Sequence, residues 1–128
     1  MRKSNTVITR LMAIAILIAL FSSFFPTQPA QAAAGWRTVA AMNTARCGHT
    51  ASLLPDGRVL VAGGAVSMME ITAGVEIYDP AANTWTTVAS MSTPRGSHTA
   101  TLLTNGKVLV VGGLTNLTET TASAEIYD

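Results

Sequence analysis

RCGHTASLLPDGRVLVAGG, residues 46–64, returns as RGSHTATLLTNGKVLVVGG, residues 95–113. The same offset of 49 residues carries Trp36–Asp79 onto Trp85–Asp128, with 25 of the 44 aligned positions identical and no gap. The residues that recur are those that shape a chain: Trp36/Trp85, Arg46/Arg95, His49/His98, Gly57/Gly106, Gly63-Gly64/Gly112-Gly113, and Glu76-Ile77-Tyr78-Asp79/Glu125-Ile126-Tyr127-Asp128. A period of this size marks a repeated supersecondary unit, each copy burying its apolar face against the next.

One copy reads as four strands. Gly96–Leu103 is Thr-rich and apolar, Lys107–Val111 is continuously apolar, and Thr104-Asn105-Gly106 lies between them. Asn-Gly is a strong hairpin signal because both residues tolerate positive φ. Leu54-Pro55-Asp56-Gly57 occupies the same place in the first copy, with Asp-Gly for Asn-Gly. The second strand ends at a double glycine, where the chain turns sharply without room for a Cβ. A phosphate cradle would need Gly-x-Gly-x-x-Gly followed by a helix, and neither is present. Ala65–Ala73 and Leu114–Ser123 diverge between copies and read as surface loops. Val75–Tyr78 and Ala124–Tyr127 are third strands, Asp79-Pro80 opens a turn, and Thr84–Val88 is a fourth, outermost strand. The fold class is therefore all-β, built of four-stranded antiparallel units. Residues 45–89 form the first unit, and residues 90–128 form a second that lacks its fourth strand. Residues 33–44 are a linker whose Trp36–Val39 aligns with a fourth strand.

The first quarter of the chain has a different character. Arg2, Lys3 and Arg10 precede or border the apolar run Leu11–Phe21, and Ala30-Gln31-Ala32 has the small residues of an export cleavage site. Residues 1–32 are read as a signal peptide, which places the product outside the cytoplasm, secreted or periplasmic. The apolar run is too short for a stable membrane span. Without the leader, five basic residues face seven acidic ones, a net charge of −2 with no basic patch, which argues against a nucleic-acid partner. Cys47 is the only cysteine, so no intrachain disulfide forms, and it reads as a small buried side chain.

The run Arg46–Gly64, followed by Glu76-Ile77-Tyr78-Asp79-Pro80 and Thr84-Trp85, resembles a kelch repeat of the type found in bacterial secreted proteins, and 49 residues is the size of a kelch β-propeller blade. The resemblance covers residues 36–128 and implies the N-terminal part of a larger propeller. Trp36–Val39 would close its last blade as an outer strand. The remaining blades would come from a longer chain or from self-assembly, because fewer than two blades leave apolar faces and strand edges uncovered. Relatives of this kind are mostly binding platforms, and some resemble galactose oxidase, a copper radical enzyme with a cysteine cross-linked to a tyrosine.

Two functions follow. The first is a binding or structural module that presents its loops to a protein or glycan partner, with Met68, Met69, Glu70, Asn116 and Glu119 as candidate contacts. The second is an oxidase using a Cys47–Tyr78 cross-link, for which the second copy has Gly96 in place of Cys47. Neither a serine elbow nor a zinc His-Glu-x-x-His motif is present, and no cofactor or metal is assigned. The repeated residues are read as scaffold. Arg46/Arg95 pair with Glu76/Glu125, and His49/His98 hydrogen-bond to backbone at the start of the first strand. Trp36/Trp85 and Tyr78/Tyr127 pack between blades.

Overall fold

The computed structural model describes residues 35–128, so the signal peptide assigned to residues 1–32 lies outside the described residues. The chain divides into two units, Met1–Trp36 and Arg37–Asp128, and the second holds every strand described below. A four-stranded antiparallel sheet consists of β1 (Thr50–Leu53), β2 (Val59–Ala62), β3 (Val75–Asp79) and β4 (Thr84–Val88), in that order. A three-stranded sheet repeats it with β5 (Thr99–Leu102), β6 (Val108–Val111) and β7 (Ala124–Tyr127). No helix occurs among the described residues. The all-β reading is correct, and the four-stranded unit has the strand order expected of a blade.

The hairpin turns differ from the expectation in one respect. Only the glycine of each turn has positive φ, +85° at Gly57 and +83° at Gly106. Gly106 N donates to the Leu103 carbonyl at 3.0 Å, and Leu103 N donates to the Lys107 carbonyl at 2.8 Å. This is a three-residue loop, a type I turn closed by a glycine bulge, rather than a two-residue Asn-Gly turn. Asn105 uses its side chain instead, accepting the Lys107 amide at 3.2 Å, as Asp56 accepts the Arg58 amide at 3.0 Å.

Antiparallel register places alternate residues on opposite faces. Leu60, Ala62, Val75 and Ile77 share the rear face of the first sheet, and Val108 and Val110 lie on the front face of the second. These two faces meet in one buried cluster, capped by Leu54 and flanked by Val88, Met91, Ala100 and Tyr127. Polar bonds stitch the same seam. Gly64 N donates to the Arg95 carbonyl at 2.7 Å, Met91 N to the Ala73 carbonyl at 3.0 Å, and Ser97 N to the Gly48 carbonyl at 2.8 Å. The double glycine is required here, because a Cβ on Gly63 would collide with the Arg95 carbonyl and sit 2.8 Å from the His98 ring.

Two expectations, for Cys47 and for Trp85, are corrected. Cys47 is exposed, not buried, and precedes β1 as an isolated bridge partner of Ala65. Trp85 packs on Tyr78 of its own sheet, ring centroids 5.0 Å apart, because the two are cross-strand partners rather than residues of adjacent blades. Trp36 is fully exposed, and Trp36–Val39 has no strand partner among the described residues.

Candidate functional site

Each sheet fixes the base of its long loop with one arginine. Arg46 donates from Nη1 to the carbonyls of Gly63 (3.1 Å) and Gly74 (2.7 Å), the residues that flank the loop Ala65–Ala73. Its Nη2 lies 2.6 Å from Glu76 Oε1, and both side chains are buried. Arg95 repeats the arrangement on the carbonyls of Gly112 (2.8 Å) and Ser123 (2.9 Å), with Glu125 at 3.1 Å. The planar guanidinium suits this task because it donates in several directions at once, while the carboxylate balances its charge.

The carboxylates are bonded beyond the arginines. Glu76 accepts the amides of Asn43 (2.8 Å) and Thr44 (3.2 Å), and Glu125 accepts those of Ser92 (2.7 Å) and Thr93 (3.1 Å). Burial alone would raise the Glu125 carboxyl, but these amides and Arg95 outweigh it and hold the group below the ordinary carboxylate range. These pairs are loop anchors, and both carboxylate oxygens of Glu125 are bonded to backbone amides or to Arg95.

The loops are more ordered than a divergent sequence suggests. Cys47, Ala65 and Ile71 form successive bridges, as do Gly96, Leu114 and Thr120. Val66 N donates to the Glu70 carbonyl at 2.9 Å, and Thr115 N to the Glu119 carbonyl at 3.0 Å. Each loop is thus a small hairpin whose closing bonds run backbone to backbone, which permits its side chains to differ. At the tips, Met68 and Met69 are 92% and 84% exposed and Leu117 is 59% exposed. Asn116 and Glu119 turn inward on each other: Asn116 Nδ2 donates to Glu119 Oε2 at 2.8 Å, and Asn116 Oδ1 accepts the amides of Thr118 and Glu119. Glu70 is exposed beside the methionines. Leu117, absent from the sequence-based candidates, belongs with Met68 and Met69; its alignment with Met68 was the available signal.

Of the two histidines, His98 joins the sheets. His98 Nε2 lies 2.8 Å from Thr50 Oγ1, a side-chain bond across the seam where a backbone partner was expected. Among the described residues no group of three or more His, Cys, Asp or Glu side chains is placed to hold a metal ion. A cross-linked copper site does not fit this chain either. The bridge Cys47↔Ala65 continues the β1–β2 register, while Tyr78 is level with Val59. Cys47 and Tyr78 are therefore six residues apart along the strands, roughly 20 Å, at opposite ends of the sheet. A cavity of about 230 Å³ lies between the sheets against Leu60, Val75, Met91 and Val110. It falls below the ~300 Å³ at which small-molecule sites begin.

A search of curated proteins finds no match to the chain. The family model for the Kelch motif matches residues 45–92, a span that begins just before Arg46 and ends just beyond β4, taking in the whole four-stranded sheet. With the arginine-anchored loop, the double glycine and the four-strand order all inside that span, residues 45–92 are similar to the Kelch motif in sequence and in strand order.

Proposed function

We propose that this chain is an exported kelch module that binds a protein partner through the tips of Ala65–Ala73 and Leu114–Ser123. Kelch repeats generally mediate protein interactions, and the single observation that carries the reading is the near-complete exposure of Met68 and Met69 on a hairpin braced from beneath by Arg46. Methionine adapts its shape to an apolar surface at little cost, which suits recognition. The rigid base means that little ordering entropy is lost on binding. A protein surface is favoured over a glycan because Asn116 and Glu119 spend their polar groups within their own loop. Export rests on the leader pattern of Arg2, Lys3, Leu11–Phe21 and Ala30-Gln31-Ala32.

A photo-crosslinking residue at position 69 of the full chain, produced in exporting cells, is expected to give a covalent adduct with one protein. The same residue at position 56, in the β1–β2 turn at the other end of the sheet, is expected to give none. Met68→Ser with Met69→Ser should abolish capture and leave the melting temperature unchanged. Equal capture by that double variant removes the methionine tip as the site.

A further inference from the structure

The two loop tips share one backbone plan and differ in chemistry. Val66 N donates to the Glu70 carbonyl and Thr115 N to the Glu119 carbonyl, so Met68-Met69 and Leu117-Thr118 hold equivalent places. Both closing bonds run between backbone atoms, and the second loop closes with no methionine in it. The fold of the first loop therefore does not depend on its two thioethers. Their near-complete exposure leaves each sulfur open to a reagent in solution.

The other methionines among the described residues are placed differently. Met91 packs against the buried cluster at the seam, its Cε 3.2 Å from the place a Cβ on Gly63 would take, and Met42 is half-buried. An oxidant that must reach the sulfur meets Met68 and Met69 first, and its effect there is local. A hydroperoxide gives its outer oxygen to a thioether: the sulfur lone pair forms the S–O bond, the O–O bond breaks, and water or an alcohol leaves. The sulfur loses the two electrons that the peroxide gains. A flexible apolar side chain becomes a polar, chiral sulfoxide, which specific reductases return to the thioether. In the free protein water solvates the new S–O dipole, whereas a partner packed on the tip must bury it.

We infer that Met68 and Met69 form a reversible oxidation site whose sulfoxides switch off capture by this loop, an effect that rests on the binding role proposed above. Each interface methionine made polar is expected to weaken capture by about tenfold or more. Leu117 supplies an apolar tip without a sulfur, so the second loop is unaltered by the same reagent.

The test uses the full chain with Cys47→Ser, which removes its single thiol, and a photo-crosslinking residue at exposed position 70, which leaves both methionines in place. The purified protein is treated with hydrogen peroxide, freed of it, returned to the exported fraction and illuminated. Peptide mass spectrometry is expected to find oxygen added at Met68 and Met69 before Met42 and Met91. At that stage the adduct should fall about tenfold or more with the melting temperature unchanged, and treatment with both methionine sulfoxide reductases should restore it. With Met68→Leu and Met69→Leu the adduct should form and resist peroxide. An undiminished adduct when both tips are oxidised overturns the switch and leaves the binding role standing, whereas no adduct before treatment removes both. Oxidation of Met91 first, with a lowered melting temperature, overturns the assignment of the site, as does a leucine variant that stays peroxide-sensitive.

Discussion

His98 shows how one side chain ties a local position to the stability of the whole seam. It is buried, its Nε2 is bound to Thr50 of the other sheet, and its Nδ1 has no partner. Burial holds its pKa below the usual histidine value, Arg95 and His49 add to the depression, and the Arg95 carbonyl only partly opposes it. The unfolded chain therefore takes up this proton first, so the contribution is complete above the unfolded histidine pKa of about 6.5 and declines as pH falls below it. We expect the urea midpoint to drop between pH 7 and pH 5. His98→Gln should remove most of that drop while lowering the midpoint at pH 7. A His98→Gln protein with the same pH slope would move the effect to another group; Glu125, held low by its amides and Arg95, titrates further into acid. In the sequence, His98 was legible as a repeated scaffold residue. Its partner was not, because Thr50 lies 48 residues away and only packing of the sheets brings the two together.

At the scale of elements, the glycines divide into those that need a conformation and those that also need space. Gly57 has φ +85° with nothing within 4 Å of an added Cβ, whereas Gly63, at φ +63°, would drive its Cβ into the Arg95 carbonyl. Gly57→Ala should cost about 1 kcal/mol, the ordinary penalty of a left-handed alanine. Gly63→Ala should cost several times that, since the carbonyl it meets is itself bonded to Gly64 N and cannot withdraw freely. Denaturant midpoints of the two variants test the ordering, and equal losses would mean that the close approach is unimportant. Strands were readable because turn glycines and apolar runs bound them, and β4 and β7 match their expected limits. Loop hairpins were not, since the bonds that close them, such as Val66 to Glu70, join backbone atoms and leave no side-chain pattern. The exposure of Cys47 escaped for a similar reason: it depends on where the strand begins, and β1 starts three residues later than the Thr-rich run implied.

Over the whole Arg37–Asp128 unit, the distribution of the core decides whether the sheets fold separately. A three-stranded sheet has little core of its own, and Val108, fully buried, lies in one cluster with Leu60, Ala62, Val75 and Ile77 of the first sheet. The seam also carries the backbone bonds of Gly64, Met91 and Ser97, so opening it exposes apolar surface and unpaired amides together. Both sheets should therefore melt in one transition. Trp85 reports this, because it stacks on Tyr78 in the first sheet, far along the sequence from Val108 in the second. With Trp36→Phe making Trp85 the sole tryptophan, Val108→Ala should destabilise the protein by about 2 kcal/mol. For a domain of this size the Trp85 melting midpoint would then fall by roughly 10 °C. The transition followed by circular dichroism should move by the same amount. If the sheets were independent, the Trp85 midpoint would stay fixed while the dichroism curve split in two. The physical reason to expect the shared shift is that every residue Val108 loses contact with on opening belongs to the element that Trp85 reports or to the seam joining it.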